Sequence, residues 1–141
     1  LTDVTGVQTC ALPICSLFAS SEESSAHPGF KNLITTLGEG DTRLLLKKIS
    51  PVRLIRNSFS DRIAEAEAAG ATREMLAEML GKGRAKKGMF EGDLTEGELE
   101  IGQISASIDR IEPVHLIMQR IIAEYNRCRE TIFFAENFSF D

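Results

Sequence analysis

The sequence lacks several features that particular protein classes require. It has no tryptophan and one tyrosine in 141 residues, and none of its apolar runs approaches the roughly 18 residues that a membrane-spanning helix needs. It also has no excess of basic residues, since the net charge is −5. Because nucleic-acid phosphates require a basic face, we expect neither a nucleic-acid partner nor a membrane attachment.

Cysteine is scarce as well, with three residues in the chain. Cys10 and Cys15 are separated by four residues, no second such pair follows, and His27 and His115 lie far away in sequence. This spacing is typical of neither a disulfide framework nor a zinc site. We therefore expect no bound metal and a reducing, cytoplasmic location.

The first fifteen residues, LTDVTGVQTCALPIC, fit nothing that follows them. Asp3 stands where a signal peptide would be basic, and Pro13 breaks the apolar stretch. The run GVQTCALPI resembles a translated sequencing adaptor. We interpret residues 1–15 as an assembly artefact or a disordered terminus, assign residues 16–141 to the folded protein, and expect the natural protein to continue upstream.

What is present is helical periodicity with one or two short extended segments. Residues 16–20 and 41–48 each have a short apolar centre that predicts a strand. Pro28 predicts the first turn of a helix that runs toward Gly38. Ser50 followed by Pro51 predicts a second helix start, with one apolar stripe over residues 52–66.

Three further helices are predicted downstream. Thr72 is a candidate N-cap for a third helix. The side chains predicted to face inward from this helix are Met75, Leu76, Met79 and Leu80. Thr95 and Glu98 have the spacing of a capping box, and an isoleucine stripe follows at positions 101, 104, 108 and 111. Pro113 precedes a long helix with an apolar stripe over residues 114–125. The chain is therefore predicted to be mainly α, with about five helices.

Five carboxylates crowd the stretch 88–106, and they permit two interpretations. They are Glu91, Asp93, Glu96, Glu98 and Glu100. A divalent-metal loop of the EF-hand type would need oxygen ligands and a glycine at fixed positions. Counted from Glu91, positions 5, 6 and 12 are instead Thr95, Glu96 and Gly102. The pattern therefore favours a solvated acidic loop over a metal or acid–base site.

Two stretches, EESSAHPGFKNLI and EGDLTEGELEIGQISASI, resemble a known family. Residues 22 to about 127 are similar to the C-terminal part of nitronate monooxygenases (2-nitropropane dioxygenase-like proteins), a family that includes flavin-dependent enoyl-acyl-carrier-protein reductases. The matching positions in the two stretches are Glu23, Ala26, His27, Pro28, Phe30 and Lys31, then Gly92, Asp93, Gly97, Gly102 and Gln103. Arg56 and Asn57 extend the match, and we interpret both as structural.

The resemblance implies the C-terminal end of a TIM (β/α)8 barrel that binds FMN, followed by a helical lid subdomain. It implies that Ser16 lies near the end of the phosphate loop and that Gly102 and Gln103 approach the flavin. A purely local role for Gln103, bonding nearby backbone, stays open. The family's catalytic histidine lies upstream of this sequence, so no catalytic residue is assigned here. We expect His27 to bond a helix terminus instead.

The activity that the resemblance implies for the intact protein is flavin chemistry on a small molecule. The first candidate is oxidation of an alkyl nitronate to a carbonyl compound and nitrite. The alternative is reduction of an enoyl thioester with a nicotinamide cofactor, and these residues do not separate the two. We expect the chain alone to be inactive. A different class stays open: a freestanding helical interaction module that uses the stripes at 52–66 and 114–125 for a partner.

Overall fold

The computed structural model describes residues 15–133. Its helices are α1 (Pro28–Ile34), α2 (Ser58–Ala68), α3 (Arg73–Leu80) and α4 (Val114–Phe133), and its strands are β1 (Thr42–Leu45) and β2 (Val52–Ile55). A π-helical turn covers Lys86–Phe90 and a 3-10 turn covers Gln103–Ser107. The described part is mainly helical with two strands, as the sequence predicts. The interpretation of residues 1–15 as an artefact or a disordered terminus stays a prediction, since all of them except Cys15 lie outside the described range.

The two strands form an antiparallel pair in which Leu45 lies opposite Val52. A third segment extends the other edge of β2. The Ile55 amide donates to the Leu99 carbonyl at 2.9 Å, and the Ile101 amide donates to the Arg53 carbonyl at 3.1 Å. The acidic stretch is thereby fastened to the sheet, and Gly102 follows directly at its edge.

The predicted strand at residues 16–20 is wrong, because this segment is helical from residue 15 to 19. The Ser20 amide donates to the Ser16 carbonyl at 3.2 Å, and the Ser20 hydroxyl donates to the Leu17 carbonyl at 2.9 Å. The two serines, four residues apart, are the buried positions. An apolar run of five residues is too short for its composition to separate strand from helix.

The predicted helix start at Pro51 is also wrong. Residues Val52–Ile55 are β2, and the helix begins only after Asn57. The Asn57 side chain accepts from the Ser60 amide at 2.9 Å, while the Asn57 amide donates to the Ser60 hydroxyl at 2.8 Å. This reciprocal cap sets the start of α2, so the stripe over 52–66 belongs to two elements that are both packed in the core.

The prediction for α3 is confirmed at its ends but not along its whole inward face. Thr72 caps the helix by accepting from the Met75 amide at 3.3 Å, and Gly81 follows its last residue. Leu76 is fully buried, whereas the Met75 side chain is 53% exposed. Met75 therefore does not belong to the core.

The predicted capping box and long isoleucine helix are replaced by tighter local structure. No helix begins at Thr95; the Asp93 carboxylate instead accepts from the Thr95 and Glu96 amides at 3.2 and 2.9 Å. Of the isoleucine stripe, Ile101 and Ile108 are buried but Ile104 is 42% exposed. The Asp93 side chain is short enough to accept from the backbone amides two and three residues ahead, and the turn that it stabilises takes the place of the predicted capping box.

Two hydrophobic clusters flank the sheet. One joins the sheet to α2 and α3 and consists of Leu45, Leu46, Leu54, Phe59, Ile63, Ala71 and Leu76. The other joins α1 to the acidic stretch and consists of Phe30, Ile34, Ile55, Leu99, Ile101 and Ile108. Adjacent residues of β2, Leu54 and Ile55, enter different clusters because alternate strand positions face opposite sides. β2 is thus the centre of the described fold.

Among residues 15–133, the long helix α4 packs against the other elements mainly through its first turns. Ile117 is buried, but Met118, Ile122 and Tyr125 are 41%, 53% and 65% exposed. The start of the helix is held by Glu23, whose carboxylate oxygens accept from the Val114 amide at 3.0 and 2.9 Å. Within the described residues, no helix is long and apolar enough to cross a bilayer.

Candidate functional site

A groove of about 470 Å³ lies beside β2 and brings together the three predicted cofactor-binding residues. Ser16, Gly102 and Gln103 all line it, although more than 80 residues of sequence separate the first from the other two. Its volume falls in the usual range of small-molecule sites. The groove is therefore the candidate site of the described chain.

Ser16 and Gly102 are bonded to each other at the buried end of the groove. The Gly102 amide donates to the Ser16 hydroxyl at 2.9 Å, and both residues are buried. This bond pins the helical segment at residues 15–19 to the end of the acidic stretch. The Gly102 N–H is thus engaged within the protein, and its carbonyl accepts from the Ser105 amide at 3.1 Å, so a ligand would approach Gly102 chiefly at its Cα.

The remaining polar groups of the groove are Gln103, Glu100 and Arg53. Gln103 and Glu100 are exposed, whereas Arg53 is half-buried on β2. Sequence reasoning missed Arg53 because it assigned residues 52–55 to a helix. Had the stretch been recognised as a strand, Arg53 would have been placed on the face opposite the buried Leu54.

The two stretches that carry the family resemblance pack directly against each other. The His27 amide donates to the Met89 carbonyl at 2.8 Å, and the His27 Nδ1 accepts from the Gly29 amide at 3.0 Å at the start of α1. Gly92 has a φ of 83°, and a Cβ built there would lie 2.5 Å from the His27 ring. The expected structural role of His27 at a helix terminus is confirmed. Its ring leaves no room for a side chain at position 92, which is why a glycine is needed there.

A second close contact joins Gly97 to Gly88. A Cβ on Gly97 would lie 2.2 Å from the Gly88 Cα, and one on Gly88 would lie 2.8 Å from the Glu98 carbonyl oxygen. Asn57 secures the same loop by donating to the Leu94 and Gly97 carbonyls at 3.0 and 2.9 Å. Several residues of the resemblance therefore hold the loop that ends at the groove.

The five carboxylates do not converge on a common point. Glu96 forms a bidentate ion pair with Arg62, and Glu91 lies 3.2 Å from the Lys86 Nζ. Across residues 15–133, no group of three or more histidine, cysteine or acidic side chains is arranged to hold a metal ion.

Glu98 is the buried member of this set, with 7% of its surface exposed. Burial raises the pKa of its carboxyl, the nearby Glu100 raises the pKa further, and Arg84 opposes both. The folded protein thus holds a proton on Glu98 more tightly than the unfolded chain does. The charged form destabilises the fold above the folded-state pKa, and this penalty is absent below the unfolded value of about 4.5.

We expect Glu98→Gln to raise the midpoint of thermal unfolding at pH 7, because the uncharged amide removes a carboxylate that burial disfavours. The gain over the wild type should shrink as pH falls through the folded-state pKa and vanish near pH 4. Melting curves between pH 4 and 8 measure this. Glu39→Gln, at an exposed position, is the matched control. A gain that stays constant across this pH range would contradict the assignment.

The described elements define a helical unit packed on a small sheet, with a ligand-sized groove beside β2. No protein-family model matches the sequence, and no curated protein does either. Solved structures do match. FabK from Thermotoga maritima is 33% identical with a TM-score of 0.72, covering 82% of this chain and 36% of that one. A mutant of the same FabK is 31% identical with a TM-score of 0.67, covering 82% and 34%.

The chain therefore spans about a third of the FabK structures that it resembles. Within that third, identity above 30% accompanies the same backbone arrangement over most of the described residues. Nothing in the matches bears on the adaptor-like residues 1–15 or on nitronate as a substrate.

Proposed function

We propose that this chain is the C-terminal part of an FMN-dependent oxidoreductase. The observation that carries the proposal is the match to FabK, an FMN-dependent enoyl-acyl-carrier-protein reductase, across 82% of the chain. FMN is the cofactor that this resemblance implies for the intact protein. A TIM (β/α)8 barrel would precede the described residues and carry most of the flavin site.

The residues for which we propose contact with the cofactor are Ser16, Gly102 and Gln103. Their common position on one groove fits that role. Gln103 is the exposed member, and its amide offers both a donor and an acceptor to a heterocycle. Ser16, held against Gly102, shapes the wall behind it. FMN when bound would supply the electron transfer, while these three residues would orient it and exclude water.

Two reactions are compatible with this assignment. Reduction of an enoyl thioester is favoured by the likeness to FabK. Oxidation of an alkyl nitronate to a carbonyl compound and nitrite is the second candidate, and it rests on the resemblance of EGDLTEGELEIGQISASI to nitronate monooxygenases. In either case the substrate is a small molecule or a thioester-bound chain, and we propose a cytoplasmic location.

Exposed apolar surface supports the view that these elements evolved to cover a larger body. Half of the apolar stripe on α4 is exposed on the described fold, namely Met118, Ile122 and Tyr125. Leu44 at the groove and Phe90 at the end of the π-helical turn are 44% and 50% exposed. The stripe at 52–66 is buried, so the freestanding interaction module loses one of its two proposed surfaces. We therefore favour the flavoprotein fragment.

The proposal is tested by comparing two proteins: the 141-residue chain, and a longer protein cloned from the source locus with its upstream coding sequence. We expect the longer protein to purify yellow, with about one FMN per chain. It should oxidise a nicotinamide cofactor in the presence of an enoyl thioester. The 141-residue chain should show neither property, since the barrel residues are missing.

Several outcomes discriminate among the possibilities. Nitronate-dependent oxygen uptake and nitrite release, without enoyl reduction, would select the second reaction. Stoichiometric FMN on the 141-residue chain would contradict its expected inactivity. A source locus with a start codon and promoter directly before Leu1 would contradict the fragment assignment and return the interaction module to first place.

A further inference from the structure

Arg53 is a half-buried cation on the groove, and no carboxylate of the described residues forms an ion pair with it. Its Nη1 donates to the Thr42 hydroxyl at 3.1 Å and approaches the Thr42 carbonyl at 3.4 Å. Among residues 15–133, Arg43 and Arg62 have carboxylate partners within 4.0 Å, whereas none is found for Arg53. The arginine is thus oriented by neutral oxygens.

The guanidinium retains donors for a ligand. Arginine carries five N–H groups in a planar fork, and only those on Nη1 are used by Thr42. The groove around it is walled mainly by apolar side chains, including Leu44, Val52 and Ile101. In such surroundings a charge-assisted hydrogen bond is stronger than one in water, so an anionic group is the favoured occupant.

Glu100 restricts which anion can bind. It is exposed and lines the same groove, yet it forms no ion pair with Arg53. Beside Arg53, its negative charge opposes a doubly charged anion more strongly than it opposes a singly charged one. Gln103, also exposed on the groove, can donate from its amide without adding charge.

We propose that the groove binds a small organic monoanion, a carboxylate on a short apolar chain. Arg53 holds the anionic oxygens, and the chain lies against the wall that Leu44 and Ile101 form. This goes beyond the proposed flavin function, because Arg53 is not among the residues that carry the family resemblance. It also applies to the 141-residue chain whether or not FMN binds there.

The test uses matched ligands of equal chain length, hexanoate and 1-hexanol, titrated into the 141-residue chain and followed by NMR shifts of the groove amides. We expect hexanoate to bind more tightly than hexanol. Arg53→Gln should weaken hexanoate binding by about tenfold to a hundredfold, as the loss of a hydrogen bond to a charged group predicts. Hexanol binding should change less than twofold.

Two further variants keep the result decisive. Arg53→Lys retains the charge but not the fork, so it should retain part of the hexanoate affinity. Arg56→Gln changes an exposed arginine that does not line the groove, and it should bind both ligands like the wild type. Equal loss of both ligands in Arg53→Gln would show that Arg53 only shapes the groove, and would overturn the proposal. Undetectable hexanoate binding to the wild type would overturn it as well. The cofactor assignment depends on the longer protein and is unaffected by either result.

Discussion

Replacing Gly97 with alanine should prevent the acidic loop from closing, and should destabilise the fold by at least about 3 kcal/mol. The added methyl would lie 2.2 Å from the Gly88 Cα and 2.3 Å from the Asp93 carbonyl oxygen. Both are backbone atoms, so neither can move aside as the end of a flexible side chain would. We expect the cooperative unfolding transition in urea to shift far toward zero denaturant or to disappear.

Gly38→Ala is the matched control for this change. Its added methyl would meet only the Asp41 carboxylate at 3.6 Å, an ordinary contact. The control should therefore unfold within about 1 kcal/mol of the wild type. A Gly97→Ala protein with a wild-type transition would mean that the two loop segments do not cross at Gly88, and the geometry of the acidic stretch would have to be revised.

Replacing Asn57 with alanine should also lower the free energy of unfolding strongly. The side chain caps α2, and removal of such a cap costs about 1 kcal/mol. It also donates to two loop carbonyls, and each one left unsatisfied adds about 1 kcal/mol or more. We therefore expect a loss of about 3 kcal/mol, measured by urea unfolding at pH 7.

Two comparison variants separate the cap from the loop bonds. Asn57→Asp keeps the acceptor that caps α2 but replaces the donor by an oxygen that repels both carbonyls, so it should remain strongly destabilised at pH 7. Asn32→Ala removes an exposed asparagine side chain from α1 and should change stability little. If Asn57→Asp unfolded like the wild type, the cap alone would explain the role of Asn57.

Local signals in the sequence were sufficient where one residue decides the backbone. Pro28 marked the start of α1, Thr72 capped α3, and Pro113 preceded α4. The strand predicted within residues 41–48 was found as Thr42–Leu45. These features depend on sterics or on hydrogen bonds within a few residues, and a linear pattern contains that information.

The failures arose where tertiary contacts chose between local alternatives. Pro51 is a plausible helix start, but the Leu99–Ile101 segment pairs with residues 53–55 and fixes them as strand. Thr95 and Glu98 have the spacing of a capping box, yet the close approach of Gly97 to Gly88 requires a turn instead. Neither partner is visible from the local pattern.

The candidate site was partly predictable, for a different reason. Ser16, Gly102 and Gln103 were assigned through the family resemblance, and the structure places them on one groove. No spacing rule could have joined positions more than 80 residues apart. Arg53 was missed because its direction depends on strand geometry, which the erroneous helix assignment concealed.

The bond between Glu23 and Val114 has a consequence for how this chain can be divided. The Glu23 carboxylate, near the beginning of the described chain, accepts from the first residue of α4, which lies 91 positions later. An N-terminal truncation that removes Glu23 would leave the first amide of α4 without this acceptor, even though every residue of α4 remained. A shortened version of the chain that is meant to keep α4 in place should therefore include Glu23 as well as Val114.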